Sequence, residues 1–139
     1  MEMSPVSVEL RQGSDKLFLF FGGIVGSIGM PPFEFYQASK ILEFSRVFVR
    51  DLSQSWYQRG LPGIGSNAAD IGGYLNGLIK NSGASEIIFV GNSMGGYAAL
   101  LFCAMLKTGK AVVFSPQTFL STARRNCIVP SPPAIYAFG

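Results

Sequence analysis

Glu86-Ile87-Ile88-Phe89-Val90-Gly91-Asn92-Ser93-Met94-Gly95-Gly96 is the stretch on which the reading of this chain turns. A β-rich apolar run opens it, small residues from Gly91 to Gly95 form a turn, and an apolar helical pattern follows over residues 94–106. In that pattern Ala98, Leu101, Phe102 and Met105 are available for burial. A turn this sharp from strand to helix puts Ser93, at its centre, into a strained backbone conformation. Small residues two before and two after Ser93 let strand and helix approach without collision, and Gly91 and Gly95 hold those places. The Ser93 hydroxyl is then lifted clear of the sheet, and the helix N-terminus is aimed at the reacting atom. The Met94 amide becomes a donor for a developing oxyanion.

Working outward, the periodicities alternate. Residues 6–10 read as a short strand and residues 16–21 as an apolar run buried on both faces, ending in Gly22-Gly23. A glycine-rich loop leads to a predicted helix over residues 33–44, with Pro31-Pro32 at its start. Residues 46–50 read as a strand and residues 51–65 as a loop. Ser66 or Asn67 caps a predicted helix ending near Asn81, with Gly83 just past its end. Residues 86–90 and 111–114 supply two further strands. The order is β-β-α-β-α-β-α-β, an α/β fold with a mostly parallel sheet and helices on both faces. Residues 1–117 form the core. Residues 118–139, with Pro130-Ser131-Pro132-Pro133 and no helical stripe, read as an irregular C-terminal tail.

Composition narrows the chemistry. Of 139 residues, 48% are hydrophobic and 14% charged, which excludes a disordered chain. Eleven Lys and Arg against eight Asp and Glu give a net charge of +3, scattered singly, and no nucleic-acid partner is implied. Cys103 and Cys127 are too few for a disulfide framework, and a reducing, cytoplasmic setting is inferred. No apolar signal segment opens the chain. The uncharged runs 17–33 and 87–106 are broken by glycine and turn residues, so no membrane span is expected. The sequence holds no histidine. A Ser-His-Asp triad, a Cys-His dyad and a histidine-ligated zinc site therefore cannot be assembled from this chain alone. No metal or cofactor is expected.

The Gly91-Asn92-Ser93-Met94-Gly95 turn between strand and helix resembles the nucleophile elbow of the α/β-hydrolase superfamily, and the resemblance covers roughly residues 16–117. It implies a three-layer sandwich, Ser93 as nucleophile toward a small-molecule ester, thioester or similar acyl bond, and Met94 as one oxyanion amide. A second amide is implied in the loop after Phe21-Gly22, at Gly23 or Ile24, with Phe21 standing where many members have histidine. Members place the acid and the histidine downstream of where this pattern ends. The resemblance thus implies a truncated core, short of the roughly 200 residues such a domain commonly needs, and inactive without the missing base. The alternative is a hydrolase-like binding or scaffold module without catalysis.

Other groups have plainer readings. Asp51 is a strand-end turn residue and Asp70 a first-turn helix acid. Lys80, Lys107 and Lys110 are solvated lysines before they are bases. Gly63-Ile64-Gly65-Ser66-Asn67-Ala68 fits a phosphate-binding spacing but lacks an adjoining strand. Trp56-Tyr57 lines a pocket or covers the core, the second being the commoner fate. An open sheet edge at residues 110–114 is the expected place for self-association.

Overall fold

The computed structural model describes residues 4–22, 35–114 and 135–138. Its elements are β1 (Val6–Glu9), β2 (Lys16–Phe21), a 3-10 turn (Ala38–Ile41), β3 (Ser45–Val49), α1 (Ala68–Ser82), β4 (Glu86–Asn92), α2 (Met94–Leu106), β5 (Lys110–Phe114) and β6 (Ile135–Phe138). The strands form one sheet in the order β1-β3-β2-β4-β5-β6. β1 runs antiparallel to β3, and every other pair is parallel. One row of partners, Val6-Val49-Phe21-Gly91-Val113-Ala137, crosses all six strands near the C-terminal ends of the parallel ones. The chain has an α/β architecture with a mostly parallel sheet, as its alternating apolar runs require.

The two faces of the sheet are built differently. On one, Leu17, Leu19, Phe21, Val47, Val49, Ile87, Phe89, Ala111 and Val113 pack against Ile71 and Leu75 of α1 and Met94, Ala98 and Phe102 of α2. The alternate residues Phe20, Phe48, Ile88 and Val90 meet Phe35, Tyr36 and Leu42 on the other. Among the described residues both α-helices lie on one side of the sheet. The predicted helix over residues 33–44 is reduced to the single 3-10 turn Ala38–Ile41. Phe35 has φ 68° and stacks on Phe20 at 5.6 Å, while Tyr36 packs on Phe48 at 5.0 Å. Packing these aromatic rings onto those of the sheet wins over continuing a helix with a poor apolar stripe.

Where the helix signals were strong, they hold. The Asn67 side chain accepts the Asp70 amide at 2.8 Å, and the chain leaves α1 through Gly83 at φ 66°. The interior glycines of α1 divide. A Cβ on Gly72 would sit 2.5 Å from Met105 Sδ of α2, so that glycine marks the helix crossing, whereas Gly73 and Gly77 face open space. Cys103 is buried, its thiol pushed up to about 11 by that burial, which leaves it an inert core residue.

The tail departs from expectation. Ile135–Phe138 is a strand that pairs in parallel with β5, Ala111 opposite Ile135 and Phe114 opposite Phe138. A four-residue run lacks a sequence signal of its own; the unpaired amides and carbonyls of β5 supply the template. The self-association edge expected at residues 110–114 is thereby occupied by β6, and the outer strands are β1 and β6. No helix among the described residues is long and apolar enough to cross a membrane.

Candidate active site

β4 runs on through Asn92, whose ladder partner is Phe114, and α2 begins at Met94. One residue, Ser93, makes the whole connection. Its φ of 55° and ψ of −119° lie outside the ordinary basins for a side-chain-bearing residue. The Ser93 amide donates to the Phe114 carbonyl at 3.0 Å, and its carbonyl accepts the Tyr97 amide at 3.1 Å. Both backbone groups are thus held while the half-buried hydroxyl makes no capping bond to the helix.

The flanking glycines are required by contact. A Cβ on Gly91 would fall 2.0 Å from the Gly95 carbonyl oxygen, and one on Gly95 would fall 2.1 Å from the Phe21 carbonyl oxygen. Strand β4, helix α2 and the end of β2 meet backbone to backbone. The first-turn amides Met94, Gly95 and Gly96 have no intrahelical acceptor, and no acidic side chain in that turn offsets the positive end of the helix. A serine hydroxyl therefore stands beside a helix N-terminus with no compensating group among the described residues, a geometry suited to holding an oxyanion. The backbone strain makes a separate forecast. Ser93→Gly, which relaxes the positive φ, is expected to raise the melting temperature by roughly 4 °C, about 1 kcal/mol, in calorimetry. A lower melting temperature than wild type would show that the conformation carries no strain.

The wall beside this site is a loop organised by Asp51, at the C-terminal end of β3. Asp51 is 3% exposed. Its Oδ1 accepts the Ser53 amide and hydroxyl at 3.0 and 2.7 Å, and its Oδ2 accepts the Ser55 amide, the Ser55 hydroxyl and the Tyr57 amide at 2.7, 3.1 and 2.9 Å. Burial pushes the carboxyl up, but the bonds from Ser53, Tyr57 and Ser55 outweigh it and hold the group below the usual aspartate range. The loop it orders places Gln54, Trp56 and Tyr57 at positive φ. Trp56 meets the Tyr97 ring edge-on at 5.6 Å, and Gln58 Nε2 donates to the Tyr97 hydroxyl at 2.9 Å. The loop is thereby fastened to the first turns of α2.

Of the residues that the sequence marks, Ser93 and Met94 are brought together at one helix start. Gly23 and Ile24 lie outside the described residues. Asp51 stands at the same edge of the sheet as Ser93 but two strands away, roughly 10 Å across the sheet, with both oxygens spent. Asp70 accepts the Ser66 amide at 2.9 Å and serves the start of α1. Lys80 lies at the far end of α1 and Lys107 at that of α2; Lys110, at the start of β5, pairs with Glu86 at the opposite edge of the sheet. None of these is a base for Ser93. The 63–68 glycine pattern is a closed turn, Leu61 bridging Gly65 with the Asp70 side chain filling the space over Gly65, and it leaves no phosphate cradle. Sequence reading missed Tyr97 and Gln58; the four-residue step from Ser93 to Tyr97, one helical turn, was the available signal.

No protein-family model matches the sequence, and no curated protein matches it significantly. Among solved structures, one described as a Glycosylation Associate Protein (Gap123) complex from Streptococcus agalactiae is similar in fold. It superposes with a TM-score of 0.63 at 18% identity, over 94% of this chain and 27% of that one. The chain thus spans about a quarter of the length of that relative, and the likeness concerns the fold.

Proposed function

We propose that the chain is a serine acyl-transfer domain of α/β-hydrolase type, with Ser93 as nucleophile and the Met94 amide as an oxyanion donor. The observation that carries this reading is the single-residue connection at Ser93, held at φ 55° between two glycines that have no room for a Cβ. Nothing in packing alone calls for a serine there, since glycine would adopt the conformation without strain. Ser93 Oγ would form a bond to the acyl carbon of an ester or thioester while the carbonyl π pair moves onto oxygen beside the α2 amides. The hydroxyl proton passes to a base, and as the intermediate collapses the base returns that proton to the leaving oxygen or sulfur, which departs as the alcohol or thiol. The described residues bring no base to Ser93, and the sequence has no histidine to serve as one.

That dictates the experiment. A fluorophosphonate probe is expected to modify Ser93, located by peptide mass spectrometry, faster than any other serine, and added imidazole should accelerate the modification by acting as external base. Ser93→Ala should abolish it. Labelling spread evenly over the serines, or insensitive to Ser93→Ala, overturns the reading.

A second reading is a hydrolase-like module that binds or assembles without catalysis. It is favoured by the lack of a base near Ser93 and by the description of the similar solved structure as part of a complex. On this reading imidazole leaves Ser93 no faster than an exposed serine.

A further inference from the structure

We propose that Tyr57 is a positioning residue of the Ser93 site: it holds the Gly22 carbonyl turned into the core and so keeps that oxygen off the amides at the start of α2 that have no acceptor among the described residues. The proposal rests on the acyl-transfer reading and explains how the protein avoids blocking its own oxyanion donors.

Tyr57 is fully buried, its ring packed edge-on against Phe21 at 5.9 Å and Phe102 at 6.2 Å. Its hydroxyl, with one proton to give, lies 3.0 Å from the Gly22 carbonyl and 3.3 Å from that of Val49. Val49 already accepts the Gly22 amide at 2.8 Å, so among the described residues Gly22 is the carbonyl in need of a donor. A buried carbonyl finds one wherever it can. Among the described residues the amides of α2 are donors close by, because the end of β2 lies against the helix start: a Cβ on Gly95 would be 2.1 Å from Phe21 O and 2.9 Å from Gly22 C. The positive end of α2 attracts a carbonyl oxygen as it attracts a substrate oxyanion. The Tyr57 hydroxyl settles that competition in favour of the substrate. Tyr57 reaches this position at φ 63°, a conformation an aromatic residue adopts only under constraint, and its amide is held by Asp51 at 2.9 Å.

Tyr57→Phe keeps the ring contacts and removes the donor. In the full chain with imidazole present, the maximal rate of Ser93 labelling by the fluorophosphonate is expected to fall about tenfold, the worth of one hydrogen bond, with the half-saturating concentration unchanged. Amide hydrogen exchange supplies the readout that a purely structural tyrosine would not produce. Protection of Met94, Gly95 or Gly96 should rise about tenfold as the released carbonyl takes one of them, whereas simple destabilisation lowers protection. Unchanged labelling, or protection that stays level or drops, overturns the proposal and leaves the acyl-transfer reading standing. Absence of Ser93 labelling in the wild type overturns the acyl-transfer reading, while the exchange data still decide whether Tyr57 keeps the carbonyl away. If the variant does not fold, the wild type decides: strong protection of both the Met94 and Gly95 amides means that those donors are already taken, and weak protection supports the proposal.

Discussion

Gly95→Ala is expected to cost about 3 kcal/mol or more, lowering the melting temperature by roughly 12 °C and leaving a chain that folds poorly. The added methyl would lie 2.1 Å from the Phe21 carbonyl oxygen and 2.9 Å from the Gly22 carbonyl carbon. These are backbone atoms of a central strand, paired on one side to β3 and on the other to β4, and they cannot swing aside as a side-chain tip would. Helix propensity alone predicts the opposite sign, since alanine is favoured over glycine by up to about 1 kcal/mol inside a helix. Gly73→Ala is the control: that glycine lies within α1 with nothing near its missing Cβ, and the substitution should raise stability by about 0.5 to 1 kcal/mol. Urea unfolding of both variants decides the matter. A Gly95→Ala protein as stable as the wild type would mean that α2 does not lie backbone to backbone against β2, and the tight turn at Ser93 would fall with it.

Asp51→Asn should be nearly as damaging, at about 3 kcal/mol, although it preserves volume. Five donors converge on the two carboxylate oxygens of Asp51. An amide keeps one acceptor and turns an NH2 group toward the remaining donors, so either the Ser53 amide and hydroxyl or the Ser55 and buried Tyr57 amides lose their acceptor. The acid limb of the stability curve carries a second signature. Because the folded carboxyl titrates below its unfolded value, its stabilisation is complete above the ordinary aspartate range near pH 4 and drains away as the pH falls through the depressed folded value. Wild type should therefore lose stability below about pH 4 more steeply than Asp51→Asn, measured by urea unfolding at pH 7 and pH 3. Parallel losses in the two proteins would show that Asp51 is not the hub of the loop. Loss of the hub should also loosen Trp56, Tyr57 and Gln58 from α2, since the three residues follow directly from its bonds.

What was legible in the sequence depended on how local the cause was. The buried strands announced themselves through continuous apolar runs such as Leu17 to Phe21 and Ile87 to Val90, because a strand covered on both faces has no use for alternation. α1 was legible at both ends, as Asn67 and Gly83 satisfy backbone groups within one turn of themselves. The tight strand-to-helix turn was legible because Gly91 and Gly95 flank Ser93 at the two positions where a side chain would strike backbone. The aromatic segment at Phe35 and Tyr36 was not, since its conformation is set by the rings of Phe20 and Phe48 on two different strands. Nor was β6, whose pairing comes from β5 across an interval of sequence that carries no signal.

The sequence by itself determined an α/β chain with a serine at a strand-to-helix turn, because those features follow from residue-by-residue sterics and the burial of apolar runs. Only the tertiary structure decided which groups surround that serine. Asp51 was spent on its own loop, the lysines were sent to the far edge of the sheet, and Tyr57 was brought beneath Gly22 by contacts between residues up to 35 positions apart. Such contacts are fixed by how strands are ordered in the sheet and by which buried polar group must find a partner, and neither is written in any single stretch of chain.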